Sequence, residues 1–220
     1  MVKTRPGIIK THEDLQGDFN VTAYDKMQRR LRDKGRIGTK RIITYGINSG
    51  LALEVGPGPA YLGLEWLKKT TNTYLKGVEI SRDMIAIAEK NAKEYNFSDR
   101  VEYKQGKAEA IPFSDNMFDA VFTYGSLHKW ANPVKALNEI HRVLKRKGKF
   151  FISDLKRDMN PLMMWFLKIN TQPKEIRSCL ISSINAAYTK EEIAVILNKT
   201  KLIDAIVSEN MIGIEIKGIK

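Results

Sequence analysis

Between residues 51 and 155 short strand-like runs alternate with helical ones, and that alternation leaves few folds open. The candidate strands are LALEV (51–55), YLKGVEI (74–80), VEYKQ (101–105), FDAVFTY (118–124) and KFFISDL (149–155). Each is short, apolar or β-branched, and bounded by turn residues. Between them, DMIAIAEKNAKEY follows Ser81 as a helix N-cap. PVKALNEIHRVLKRKG begins after Asn132 with Pro133 at its first position, and is expected to end in Lys145, Arg146, Lys147 and Gly148. Strands joined through helices pair in parallel with right-handed crossovers. The expected fold is therefore α/β, a doubly wound and mostly parallel sheet of about seven strands with an antiparallel last strand. Ligands on such sheets bind at the carboxyl ends of the strands. That rule selects Glu54–Gly58, Glu79–Ser81, Gly106–Glu109 and Tyr124–His128.

The flanks do not alternate. Residues 1–50 read as a basic helical cap broken at DKGRIG, and 156–188 as a helical insertion or lid containing PLMMWFLKI. Residues 189–220 open on a capping box, Thr189 with Glu192, and end in strands near 202–207 and 211–217 joined across SEN. All four segments belong to a single domain on this reading, as a length of 220 residues suggests. No apolar run approaches 18 residues and the N-terminus lacks a secretory stretch, so no membrane insertion is expected and the cytoplasm is the default. The single cysteine, Cys179, cannot form an internal disulfide or a cysteine cluster for metal, and is expected to be buried. The net charge is +12, and Lys26–Arg41 holds eight cations against one acid, Asp33. Such a cluster attracts nucleic acid, anionic lipid or an acidic substrate, or is simply a solvated face.

LEVGPGPAYLG, from Leu53 to Gly63, decides between ligands. A diphosphate-binding turn wants G-x-G-x-x-G with backbone N–H groups aimed at the anion. Gly56 and Gly58 fit, but the third position is Tyr61, and Pro57 and Pro59 have no N–H to donate. Glu54 would repel a phosphate and suits an ammonium or sulfonium group. Glu79 closes the second strand 23 residues after Gly56, where nucleotide folds place a carboxylate on a ribose diol. A nucleoside with a cationic tail meets both demands, and S-adenosylmethionine is one.

With GVEIS and GKAEAIPFSDNMFDAVFTYGSLHKWANPVKALNEIHRVLKRKGKFFISD, the chain resembles the class I S-adenosylmethionine-dependent methyltransferases, in their quinone-biosynthesis-like (methyltransferase type 11) branch. The resemblance covers about residues 50–155. It implies that Gly56, Pro57 and Gly58 form the loop under the methionine portion, that Glu54 orders the loop and the amino group, and that Glu79 takes the ribose hydroxyls beside Ile80. It places Met84 on the adenine face, Lys107, Ala108 and Glu109 along its edge, and Tyr124 and Leu127 over the methionine end. Tyr24 would reach the methionine carboxylate from a lid. Two positions depart from the pattern. Ala60 replaces the third glycine and requires a backbone that avoids φ > 0. Lys107 replaces an Asp that commonly bonds the adenine amino group, leaving that contact to a backbone carbonyl.

Methyl transfer from a sulfonium is an in-line displacement that needs positioning and exclusion of water. A base is required only if the acceptor loses a proton near the transition state. His128 is the candidate, with Tyr124 and Tyr188 behind it; His141 is expected to be structural. No N/D-P-P-Y run or cysteine follows the fourth strand, which disfavours adenine amines, glutamine amides and pyrimidine C6 as acceptors. A small-molecule acceptor is the leading reading, aided by an adaptable apolar lid at 159–169. An RNA or protein acceptor using the basic segment, and a non-catalytic cofactor-binding protein, are the alternatives. Nucleic acid is not favoured as a partner, no metal site is expected, and a homodimer is left open.

Overall fold

The computed structural model describes residues 18–220. Seven strands form one sheet in the order β3-β2-β1-β4-β5-β7-β6. They are β1 (Gly50–Val55), β2 (Thr73–Glu79), β3 (Val101–Gln105), β4 (Phe118–Tyr124), β5 (Leu144–Leu155), β6 (Ile206–Glu209) and β7 (Gly213–Ile219). The first five pair in parallel, and β7 runs antiparallel to both β5 and β6. The strand order reverses direction at β1 and β4, which opens a crevice beyond their carboxyl ends.

Helices α3 (Tyr61–Lys68), α4 (Arg82–Glu94), α5 (Pro133–Val143) and α8 (Lys190–Leu197) cover the sheet. Each face has its own apolar core. Leu64, Trp66, Ala88 and Phe122 lie on one side, and Val121, Leu137, Ile140 and Ile193 on the other. Neighbours Val121 and Phe122 point to opposite cores because side chains alternate along a strand. Both faces of the β4 centre are buried, so Ala120, Val121 and Phe122 are apolar in succession rather than alternating. The caps expected from sequence form: Ser81 accepts from the Met84 N–H, Asn132 from Lys135, and Thr189 and Glu192 complete the capping box.

Three expectations need correction. Helix α5 stops at Val143, and Lys145–Gly148 lie in β5 rather than in a last helical turn. Leu144 is fully buried and pairs with Phe118, so its burial in the sheet ends the helix. Lys145 then bonds Asp119 at 2.7 Å instead of facing a helix dipole. The last two strands are antiparallel but start later than expected, at Ile206 and Gly213. Ser208 and Glu209 of SEN lie in β6, and Asn210 makes the turn, its Oδ1 accepting from the Ile212 and Gly213 N–H groups. Cys179 is half-buried in a helix of the insertion rather than enclosed.

Four helices lie outside the alternation: α1 (Asp18–Asp33) and α2 (Thr39–Thr44) before β1, and α6 (Pro161–Asn170) and α7 (Arg177–Ala186) after β5. The break between α1 and α2 falls at Lys34–Gly38, within DKGRIG. Helix α1 packs on α3 and α4, whereas α6 packs on α7. No described helix is long and apolar enough to cross a membrane.

Candidate active site

A cavity of about 530 Å³ opens at the carboxyl ends of β1, β2 and β4, where the strand order reverses. Its floor is the turn Gly56–Pro59. Gly56 has φ = +68°, and a Cβ there would come within 2.8 Å of Ser126 Cβ, so geometry and space both demand glycine. Ser126 in turn donates to the Val55 carbonyl at 3.2 Å, tying the end of β4 to the end of β1. The backbone of Ala60 adopts φ = +66°, the left-handed region that the sequence reading required it to avoid. Its methyl is fully buried in the apolar core on that side, and this packing offsets a conformational cost of about 1–2 kcal/mol.

The two acids occupy different levels. Glu54 borders the cavity but is buried beneath it, with its carboxyl turned toward Gly63 in the first turn of α3. Burial pushes its pKa up to about 8, against the pull of the Gly63 N–H and with a further push from Glu79. Its Oε2 has no hydrogen-bond partner. The carboxyl thus supports the loop from below, and at neutral pH it is largely protonated.

Glu79 sits at the cavity edge. Its Oε1 accepts from the N–H groups of Ile80 (2.8 Å) and Ser81 (3.1 Å), and its Oε2 from Gly58 (3.0 Å). A carboxylate has about four lone-pair sites, so roughly one stays open to a ligand while the carboxylate holds the loop.

Met84, buried, and Ile80, exposed, line the next wall with Lys107, Ala108 and Glu109. Glu109 also accepts from the Asn132 N–H at 3.0 Å. Tyr124 lines the opposite side, half-exposed. Its ring lies so close to Gly38 that a Cβ there would meet it at 2.5 Å, which brings the α1–α2 break to the end of β4. Tyr24 of α1 rests beside Gly58, its hydroxyl accepting from Gln28 Nε2 at 3.0 Å. Burial raises the Tyr24 pKa, so the phenol stays neutral.

Two expected site residues do not face the cavity. Leu127 is buried in the core on the α5 side of the sheet, with Trp130 and Leu137. His128 is buried in the 3₁₀ turn Leu127–Lys129. Its Nδ1 lies 2.9 Å from Asp154 Oδ1, and its backbone N–H donates to Asp154 Oδ2 at 2.8 Å. This paired contact braces the turn after β4 against the end of β5. Short-range patterning places both residues after the strand, but the tight turn swings their side chains inward.

The wall formed by α1 was only partly legible. Asn91 Nδ2 donates to the Pro59 carbonyl at 2.8 Å, Tyr61 donates to Asp25 at 2.9 Å, and Arg29 donates to Asn91 Oδ1 at 3.3 Å. This network joins α1, α3, α4 and the loop. Its hydrogen-bonded pairs are 30 to 66 residues apart, so no local motif signals it. Leu31, Arg36, Ile37 and Lys135 also line the cavity, and none of them was expected at the site, although Arg36 and Ile37 lie in the DKGRIG break.

A methyltransferase domain family model matches residues 53–152, the stretch that carries the loop, both acids and β4. A crystal structure from Methanococcus maripaludis, reported as a candidate S-adenosyl-L-methionine-dependent methyltransferase, superposes with a TM-score of 0.72 at 25% identity. It covers 92% of this chain and 94% of that one. The chain is thus similar to class I S-adenosylmethionine-dependent methyltransferases, and it carries a methyltransferase domain over residues 53–152. Among such methyltransferases, the C-methyltransferase UbiE of ubiquinone/menaquinone biosynthesis from Blochmanniella pennsylvanica is 34% identical over 105 residues, 47% of this chain and 41% of that protein. The uncharacterized methyltransferase YcgJ of Bacillus subtilis is 27% identical over 145 residues, 64% of this chain and 56% of that protein. The chain thus spans about half the length of these curated relatives.

The cavity's own residues fit this methyltransferase cofactor. The loop is poor in phosphate donors, Glu79 keeps an open acceptor position, and Met84 and Ala108 offer apolar surface for a base. The orphaned Oε2 of Glu54 lies beneath the same loop.

Proposed function

We propose that this protein transfers the methyl group of S-adenosylmethionine to a small-molecule acceptor by in-line displacement, driven mainly by positioning. The observation that carries the reading is the cavity itself, enclosed between the glycine loop, Glu79 and the α1 wall. The cofactor supplies an activated methyl whose bond to sulfur breaks as the bond to the acceptor forms, leaving S-adenosylhomocysteine. Glu79 takes a ribose hydroxyl at its open acceptor position, and Met84, Ile80 and Ala108 enclose the adenine. The Gly56–Gly58 backbone supports the methionine portion, with Tyr24 and Tyr124 narrowing the opening.

No histidine lines the cavity among the described residues. Glu79 and Glu109 already accept backbone N–H bonds, and Glu54 is largely protonated. The described lining thus supports a transfer driven by positioning of the two reactants. The likeness to a C-methyltransferase makes electron-rich ring carbons the first acceptors to screen, with the displaced ring proton released to solvent after transfer. The basic segment gives less support to a nucleic-acid acceptor, because Arg29 and Arg32 are tied to groups of their own chain.

The test is thermal unfolding with cofactor, followed by product analysis with a panel of small acceptors. S-adenosylmethionine and S-adenosylhomocysteine should both raise Tm through native-state binding, and NADH should not. His128→Asn should lower Tm yet keep its turnover per bound cofactor. A shift with NADH alone would overturn the cofactor reading. Cofactor binding without methylated product from any acceptor would favour a non-catalytic role.

A further inference from the structure

Helix α6 carries Leu162, Trp165, Phe166 and Ile169 at the i, i+3, i+4, i+7 spacing of a single helical face. Their exposures are 72%, 58%, 52% and 42%, and no residue of the helix is fully buried. The opposite face, with Met163, Met164 and Leu167, is partly buried, and the helix packs on α7. Single exposed apolar residues are ordinary, but four on one face of a ten-residue helix, two of them aromatic, form a docking surface.

The charges beside this face are mostly positive, with exposed Asp158 and Glu175 as the acids. From Asp158 to Thr189 the cations are Lys168, Lys174 and Arg177. Lys168 and Lys174 are exposed. Arg177 donates to the Ile169 and Thr171 carbonyls, so its charge sits at the C-terminus of α6. We propose that the Leu162–Trp165–Phe166–Ile169 face of α6 docks the protein onto an anionic bilayer surface, lying in the plane of the interface. Aromatic and aliphatic side chains on one face of a helix, with basic residues around them, are what such a surface takes up.

A second copy of the chain fits less well. Ten residues of helix span about 15 Å and present a footprint on the order of 150 Å². A stable pair buries about 800 Å² per partner. A symmetric contact would also bring Lys168 and Lys174 of both copies together on chains that each carry +12. Docking would place the membrane beside the cavity wall, since α7 packs on the turn holding Lys129, which lines the cavity. The inference is independent of methyl transfer.

Two of the chain's three tryptophans, Trp66 and Trp130, are buried, so Trp165 is the one whose emission an outside surface can reach. The test uses the full chain, without cofactor, titrated with phosphatidylserine-containing and pure phosphatidylcholine vesicles. Emission should shift to the blue with the anionic vesicles and the protein should co-sediment with them. Binding should weaken as salt rises. Leu162→Ser with Phe166→Ser, which leaves the reporter in place, should lower apparent affinity about tenfold or more at unchanged Tm. Four outcomes overturn the proposal: no binding to anionic vesicles, equal binding by the double variant, equal binding to neutral vesicles, or lipid-free dimers that the double variant dissociates. An emission maximum already typical of a buried indole in lipid-free monomer would also overturn it.

Discussion

Helices α1 and α6 both stand outside the α/β alternation, the one read from sequence as a basic cap and the other as an apolar lid, and they are built in opposite ways. Helix α1 has its functional groups tied into the molecule. Arg29 bonds Asn91 and Glu94, and Arg32 stacks over Tyr61 with its Cζ 4.8 Å from the ring centre. Of the eight cations in Lys26–Arg41, these two and Arg41, paired with Glu215, are held by their own chain. Helix α6 leaves its largest apolar side chains in solvent. A run of charge is thus weak evidence for a partner when carboxylates and aromatic faces of the same chain lie within reach. An apolar stripe left uncovered by the fold is stronger evidence, because water penalises it continuously.

The sharpest way to break this contrast is to titrate the floor of the α1-walled cavity. Glu54 has a folded pKa of about 8, above its unfolded value, so the folded state binds the extra proton between the two. Its contribution is fully present below the unfolded pKa of about 4.3 and is lost as pH rises through 8. Denaturation midpoints should fall across that window by the equivalent of at most about 5 kcal/mol. Glu54→Gln should flatten the fall. An equally steep profile in that variant would show that another group controls it.

Next in size is Glu79→Ala. It removes the acceptor for the diol and three backbone N–H bonds at once. Cofactor affinity should drop about 10- to 100-fold, the equivalent of about 1.5–3 kcal/mol. Tm should fall with it, because Gly58 loses its anchor. Calorimetric titration showing unchanged affinity in a folded variant would remove Glu79 from the site.

The smallest expected effect compares the helices directly. Arg32→Ala should cost on the order of 1 kcal/mol through lost stacking on Tyr61 and Tyr95. Leu162→Ser with Phe166→Ser on α6 should stay within about 0.5 kcal/mol, as exposed substitutions do. Chemical denaturation of both variants measures this. A large loss on α6 would mean that its apolar face supports the fold and is not free for a partner.

The strands at 101–105 and 118–124, the caps at Ser81, Asn132 and Thr189, and the ligand-bearing strand ends were determined by sequence alone, because each depends on residues a few positions apart. The loop's two prolines likewise argue against a diphosphate, because neither has an N–H to donate. Other features were decided only by tertiary structure. Leu144 left α5 because Phe118 offered it a place in the sheet. Ala60 accepted a left-handed backbone because its methyl is buried in the core around α3 and α4. His128 faced Asp154 rather than the cavity because β5 ends beside the turn that carries it. In each case the deciding neighbour is distant along the chain, and local pattern carries no record of a contact that only folding creates.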